Sequence, residues 1–276
     1  MSPVADWGLM TQAERDAAYN NAAAVPDRER LVKIRNEAGE RYRALHPSHL
    51  DIPYGPSERT KWDLYPAAEP SAPCLVFIHG GYWQMNRRED FAGFAEGVAA
   101  HGWSVAMPGH TLAPEASLTQ IIAELRAALD WFSDNRTKYG ITGPVFISGW
   151  SAGGNMAALL LDHDLIQAGL AISGVFELGP IRDTYLNENL RLSDSEISAF
   201  SPLRHPAIAK PLAIAYGTNE LAALVNDSRN LHRLRAASHT GGILLPVPGA
   251  DHFSILEELA SPCGGLTQAI LGLHRR

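Results

Sequence analysis

Residues 144–161 read PVFISGWSAGGNMAALLL: an apolar strand, then Gly149-Trp150-Ser151-Ala152-Gly153-Gly154, then a helical run. A serine held between glycines on a strand-to-helix turn presents its hydroxyl at the top of a sheet, where it can act as a nucleophile. Such a turn is sharp, and the serine takes a strained backbone conformation within it. Gly149 and Gly153 supply small size at the two positions where a side chain would collide with the turn. The five-residue pattern alone is a weak signal, since it occurs by chance in Gly-rich loops. The flanking strand and helix raise it.

A second stretch upstream raises it further. Cys74-Leu75-Val76-Phe77-Ile78 is an unbroken apolar run that ends in His79-Gly80-Gly81-Tyr82-Trp83. It reads as a buried parallel strand feeding an exposed loop. A loop in that position supplies backbone N–H groups to an oxyanion hole, joined by the amide that follows the nucleophile. The expected donors are Gly81, Tyr82 and Ala152. Each such pre-aimed amide lowers the barrier by about 3–4 kcal/mol. Both elements occur in the order that an α/β-hydrolase fold requires, with a mostly parallel central sheet flanked by helices.

The bulk properties agree. No composition shift marks a linker in the 276 residues, so a single domain over 1–276 is expected. Hydrophobic content of 46% and charged content of 19% suit a globular chain with a sizeable core. Twenty-three basic and 30 acidic residues give a net charge of −7, which speaks against a nucleic-acid partner. The basic clusters, Arg87-Arg88 and the Arg275-Arg276 tail, are too short to matter. Cys74 reads as a buried small hydrophobe, and with Cys263 it makes no disulfide framework. The opening MSPVADWGLM lacks the basic and apolar regions of a signal peptide. No stretch approaches the ~20 apolar residues of a membrane span. A soluble cytoplasmic protein with no membrane contact is expected, its oligomeric state open and a homodimer among the alternatives.

Along the chain, residues 11–45 look helical. They start with a capping box at Thr11 and Glu14 and break near Val25-Pro26-Asp27. Residues 46–60 read as an irregular crossing and Lys61–Tyr65 as an edge strand, which makes 1–60 a helical N-terminal extension. Helical spacing returns over 89–101, and a long amphipathic helix is expected over 117–137. Further strands are expected at Trp103–Pro108, Leu170–Val175, Pro211–Tyr216 and Gly242–Val247, with a closing helix at Thr267–His274. Strands separated by helices imply parallel pairing with right-handed crossovers. Residues 176–209 break the alternation, carry Pro180, Pro202 and Pro206, and read as a small cap insertion over the catalytic face.

The partners of such a serine follow in the order acid, then histidine. Leu212–Tyr216 ends in Gly217-Thr218-Asn219-Glu220, which puts Glu220 where a strand has ended and the chain can turn toward a histidine loop. Asp227 competes, but it lies in a stretch, Val225–His232, that looks helical. His252, in Gly249-Ala250-Asp251-His252-Phe253 after the last strand, occupies the base position. His46, His49, His101, His205 and His239 look like exposed or turn residues. Ser151, His252 and Glu220 thus form the expected nucleophile, base and acid. No metal or cofactor is required. Asp162-His163-Asp164 sits at a helix end and does not converge on one ion, so it reads as a solvated turn.

From about Lys61 onward these motifs resemble the arylformamidases, also called kynurenine formamidases. The resemblance rests on His79-Gly80-Gly81-Tyr82-Trp83, Gly149–Gly154, Gly217–Glu220 with Ser228 beyond it, and Asp251-His252-Phe253. It implies cleavage of N-formyl-L-kynurenine to formate and L-kynurenine, a step of tryptophan breakdown, with the roles assigned above. The departure is Glu220, where eukaryotic members carry aspartate. The resemblance also suggests a substrate pocket lined by His79, Trp83, Trp150 and Tyr185, with Tyr82 beside it; the alternative for Trp83 is to pack under the loop as scaffold. Gly109–Glu115 resembles the Y-R-L-A-P-E segment of hormone-sensitive-lipase-like esterases, with His110-Thr111 in place of Tyr-Arg. A carboxylesterase for short-acyl esters is therefore the alternative enzyme, and an inactive hydrolase-fold binding protein is the remote one.

Overall fold

Apolar runs too short for buried helices form the centre of the molecule. The computed structural model describes residues 7–275; residues 1–6 and Arg276 lie outside it, and with them the expectations for the opening segment and the tail's last residue. Eight strands make one sheet: β1 Ile52–Pro53, β2 Lys61–Tyr65, β3 Cys74–Ile78, β4 Ser104–Pro108, β5 Val145–Trp150, β6 Ile166–Ile172, β7 Leu212–Gly217 and β8 Leu244–Val247. Their spatial order is β1-β2-β4-β3-β5-β6-β7-β8. β1, β2 and β4 pair antiparallel, and every pair from β4 to β8 is parallel.

β3 is buried along its whole length, and its residues alternate between the two layers that cover the sheet. Cys74, Val76 and Ile78 join one apolar cluster, whereas Leu75 and Phe77 join the other. The longer helices are α1 Gln12–Tyr19, α2 Arg28–Leu45, α3 Leu118–Asn135, α4 Ala152–Leu159, α5 Ala222–Ala237 and α6 Gly265–His274. α3 turns Leu118, Ile121, Ile122, Leu125, Leu129 and Phe132 into the core, as its spacing requires. α1 begins on the capping box of Thr11 and Glu14. No helix among the described residues is long and apolar enough to cross a membrane.

Several boundaries differ from the sequence expectation. Leu170–Val175 is not the strand; β6 runs Ile166–Ile172. The chain leaves the sheet at Ser173, which has a φ of 49°, and the apolar residues that follow are buried in the core outside any strand. Lys61–Tyr65 is not the edge, because Ile52 and Pro53 pair outside it. Residues 89–101 form a 3-10 segment, Arg88–Phe94, and only then a short α-helix, Ala95–Ala99. That 3-10 segment lies against α2 so closely that a Cβ on Gly39 would stand 2.4 Å from the Glu89 carbonyl oxygen.

Residues 176–209 carry four short helical pieces: Pro180–Asp183, Asn187–Leu190, Asp194–Phe200 and Pro202–Arg204. The N-terminal segment is tied to them. Trp7 Nε1 donates to Asp183 Oδ2 at 3.0 Å, and Asp16 Oδ1 accepts from the Tyr185 amide at 2.8 Å.

Candidate active site

Ser151 stands between β5 and α4 with φ 58° and ψ −120°, well away from ordinary helical or extended backbone. Its N–H is fixed to the Ile172 carbonyl at 2.8 Å. The neighbouring glycines are required by close approach. A Cβ on Gly149 would lie 2.2 Å from the Gly153 oxygen, and one on Gly153 would lie 2.1 Å from the Ile78 oxygen. The elbow is thereby pressed against the end of β3.

That contact brings the His79–Trp83 loop onto the serine. Gly81, Tyr82 and Trp83 have φ values of 123°, 48° and 58°. The Gln84 and Met85 amides both donate to the Gly81 carbonyl, at 2.9 and 3.0 Å, so the loop closes as a tight turn. Asn86 Nδ2 braces it by donating to the Gly80 carbonyl at 3.0 Å. Among the described residues, no protein acceptor meets the N–H groups of Gly81, Tyr82 or Ala152. Buried or partly buried amides normally find partners, so three open donors around one serine suit an anionic oxygen. The Tyr82 ring is anchored by the N-terminal segment: its hydroxyl donates to the Tyr19 carbonyl at 2.8 Å and accepts from Asn21 Nδ2 at 3.0 Å.

β7 and β8 deliver the other two groups. Glu220 follows β7, its side chain fully buried, and its Oε2 lies 2.9 Å from His252 Nδ1. Its second oxygen accepts from Ser173 Oγ and from the Gly217 amide, each at 2.6 Å. α5 begins only at Ala222, so this carboxylate serves the turn and the histidine rather than capping the helix. A proton on Nδ1, held by the carboxylate, leaves Nε2 as the acceptor. The His252 ring packs on Trp150 with centroids 4.7 Å apart, while Trp150 Nε1 donates to the His252 carbonyl at 2.7 Å. Ser151 and His252 border one cavity of about 90 Å³, with Tyr82, Trp150 and Tyr185 on its walls.

Ser173 was missed by sequence reasoning. It is a single serine at a strand end with no motif around it, and only the adjacency of β6 and β7 brings it to Glu220.

Two expected pocket residues lie elsewhere. His79 is buried below the loop, stacked on His110 at 4.5 Å and 13°, with Nδ1 on the Gly80 carbonyl at 2.9 Å. Burial and the neighbouring His110 hold its pKa well below the usual imidazole range. Trp83 is 1% exposed and packs into the core, because the left-handed turn points its ring inward. Neither side chain reaches the cavity. In the Asp162-His163-Asp164 turn, Asp162 pairs with Arg126 at 3.0 Å and His163 with Asp130 at 3.1 Å, so the residues diverge.

Asp227 points away from His252. Its Oδ2 accepts from the Phe176 and Glu177 amides at 2.6 and 3.0 Å, and so fastens the start of the 176–209 segment. Burial pushes its carboxyl up to about 7 against the pull of those two donors. A folded-state pKa above the unfolded one means that ionisation opposes folding, so stability declines as pH rises from about 4 to about 7 and then levels. Asp227→Asn keeps the acceptor oxygen and removes the ionisation. It is expected to keep kcat within about threefold and to gain stability relative to the parent between pH 4.5 and 8. Thermal melts at both pH values check this, and a kcat loss exceeding that of a Glu220 variant would transfer the acid role to Asp227.

The family model described as BD-FAE matches residues 63–164. The chain is 25% identical over 290 residues to kynurenine formamidase of Danio rerio, covering 97% of this chain and 98% of that one. It is 28% identical over 259 residues to kynurenine formamidase of Salmo salar, with 87% and 86% covered. A solved Silicibacter sp. protein, provisionally described as a thioesterase, superposes with a TM-score of 0.82 at 26% identity, covering 94% of this chain and 99% of that one.

Proposed function

We propose that this chain, a kynurenine formamidase-like hydrolase of the α/β-hydrolase fold, cleaves aryl formamides such as N-formyl-L-kynurenine to formate and the free amine. The observation that carries the reading is the joint placement of an elbow serine and a carboxylate-held histidine on one small cavity.

His252 Nε2 accepts the Ser151 proton as Oγ attacks the formyl carbon. The carbonyl oxygen becomes an oxyanion facing the Gly81, Tyr82 and Ala152 amides, while Glu220 stabilises the imidazolium. The C–N bond then breaks, and His252 gives its proton to the departing nitrogen. Water, deprotonated by the same imidazole, attacks the formyl-serine ester; formate leaves and Ser151 is regenerated. Tyr185 of the 176–209 segment walls the cavity together with Asn21, Ala22 and residues of α2, and the Asp16–Tyr185 bond ties that segment to α1.

Turnover of N-formyl-L-kynurenine and of p-nitrophenyl acetate by the same preparation tests the reading. The formamide is expected to exceed the ester by at least about 100-fold in kcat/KM, a difference of roughly 2.7 kcal/mol in transition-state binding, with one formate per turnover. An ester preference of that size without formate release would establish the short-acyl carboxylesterase instead. A fluorophosphonate that fails to label Ser151 would point to a silent binding protein.

A further inference from the structure

The cavity beside Ser151 is bordered by two arginines, Arg28 and Arg35, and by no aspartate or glutamate. That is unexpected in a chain of net charge −7. Both arginines come from the first two turns of α2, and among the described residues neither has a carboxylate within salt-bridge distance. The acid nearest in its influence on Arg35, Asp90, is engaged by Arg87 at 3.1 Å.

Arg35 is 8% exposed and held in place. Its Cζ lies 4.4 Å above the Phe91 ring, Nε donates to Asn36 Oδ1 at 3.0 Å, and Nη2 donates to Asn86 Oδ1 at 3.2 Å. Nη1 has no protein acceptor among the described residues. Burial pulls the guanidinium down to about 10, and the nearby Arg28 charge adds to that effect, so the group is still charged at neutral pH. A buried cation with no anionic partner carries a desolvation cost that a bound anion would relieve. A planar guanidinium with an open N–H edge fits a carboxylate. Asn86 then links Arg35 to the oxyanion loop through its bond to the Gly80 carbonyl. An anion on Arg35 would thus sit one side chain away from the reacting centre.

We propose that Arg28 and Arg35 form a carboxylate subsite that selects substrates whose leaving group carries an acid. The inference rests on the formamide reading for the identity of the acyl group, but not for the role of the arginines. An amine leaving group extends from Ser151 past Trp150 and Phe253 to place its carboxylate against α2.

Two matched pairs of substrates test it: N-formyl-L-kynurenine with its carboxamide, and an aryl acetate with and without a carboxylate on the ring. The parent enzyme is expected to favour the acid of each pair by at least about tenfold in kcat/KM, expressed in KM. Arg28→Gln and Arg35→Gln should bring that ratio toward one, and Arg35→Lys should keep part of it. A parent ratio near one, or variants that slow both members of a pair equally, would overturn the subsite. If Arg35→Gln fails to fold for want of its Phe91 and Asn86 contacts, the half-exposed Arg28→Gln decides. Should neither formamide be hydrolysed, the formamide reading falls and the acetate pair alone judges the arginines.

Discussion

Ser151→Ala is expected to lower kcat by about 10⁴- to 10⁶-fold on every substrate the enzyme turns over, with the fold intact. The size follows from the loss of the only group that can form the acyl bond. What survives is the oxyanion hole and substrate binding, which together leave a residual acceleration of about 10³–10⁴ over water. The intact fold follows from the hydrogen bonds: the Ser151 side chain does not cap α4, whereas its backbone N–H is held by the Ile172 carbonyl. The left-handed φ of 58° strains alanine as it strains serine, so the substitution neither adds nor relieves much there. His252→Ala should cost a similar factor, and the double variant should be no slower than the worse single one, because the groups act as a unit. Active-site titration and single-turnover kinetics measure this, and a Ser151→Ala enzyme retaining more than about 1% of kcat removes Ser151 as nucleophile.

The elbow and the His-Gly-Gly loop were legible because their constraints are local. A glycine whose Cβ would stand 2.2 Å from backbone, or a run of five buried strand residues, leaves its mark in adjacent letters. Glu220 and His252 were legible for a different reason: the fold fixes their order, and strand ends fix their places. Groups brought in from a distance left no such trace. Ser173 reaches Glu220 only because β6 lies beside β7, and Arg28 and Arg35 reach the cavity only because α2 folds back along the Arg88–Phe94 segment. His79 and Trp83 show a further gap. A motif marks a loop as important without saying which of its side chains turn inward, and three consecutive left-handed residues decide that here. The β6 boundary failed because Val175 and Phe176 are as buried as the strand itself, so hydrophobicity alone runs past the point where pairing ends.

The acid gives the second large effect. Glu220→Gln is nearly isosteric, and three donors converge on the native carboxylate: Ser173 Oγ and the Gly217 amide on Oε1, His252 Nδ1 on Oε2. Glutamine has one acceptor oxygen and one amide nitrogen. With two donors fixed on the Oε1 side, the oxygen is retained there and the NH₂ group turns toward His252. Nδ1 must then accept, which moves the ring proton to Nε2 and aims a donor at Ser151 where an acceptor is needed. The expected loss is about 10⁴-fold in kcat at neutral pH, as for the wrong tautomer in any such triad. Substrate KM should change little, since Glu220 lies behind His252 and does not border the cavity. Ser173→Ala supplies the control: removing one donor frees Oε1 from one constraint but leaves an acceptor facing Nδ1, so its loss should stay within about tenfold. Steady-state kinetics on both variants distinguish a tautomer effect from simple disruption. If Glu220→Gln and Ser173→Ala lose activity equally, the carboxylate is orienting the turn rather than the imidazole.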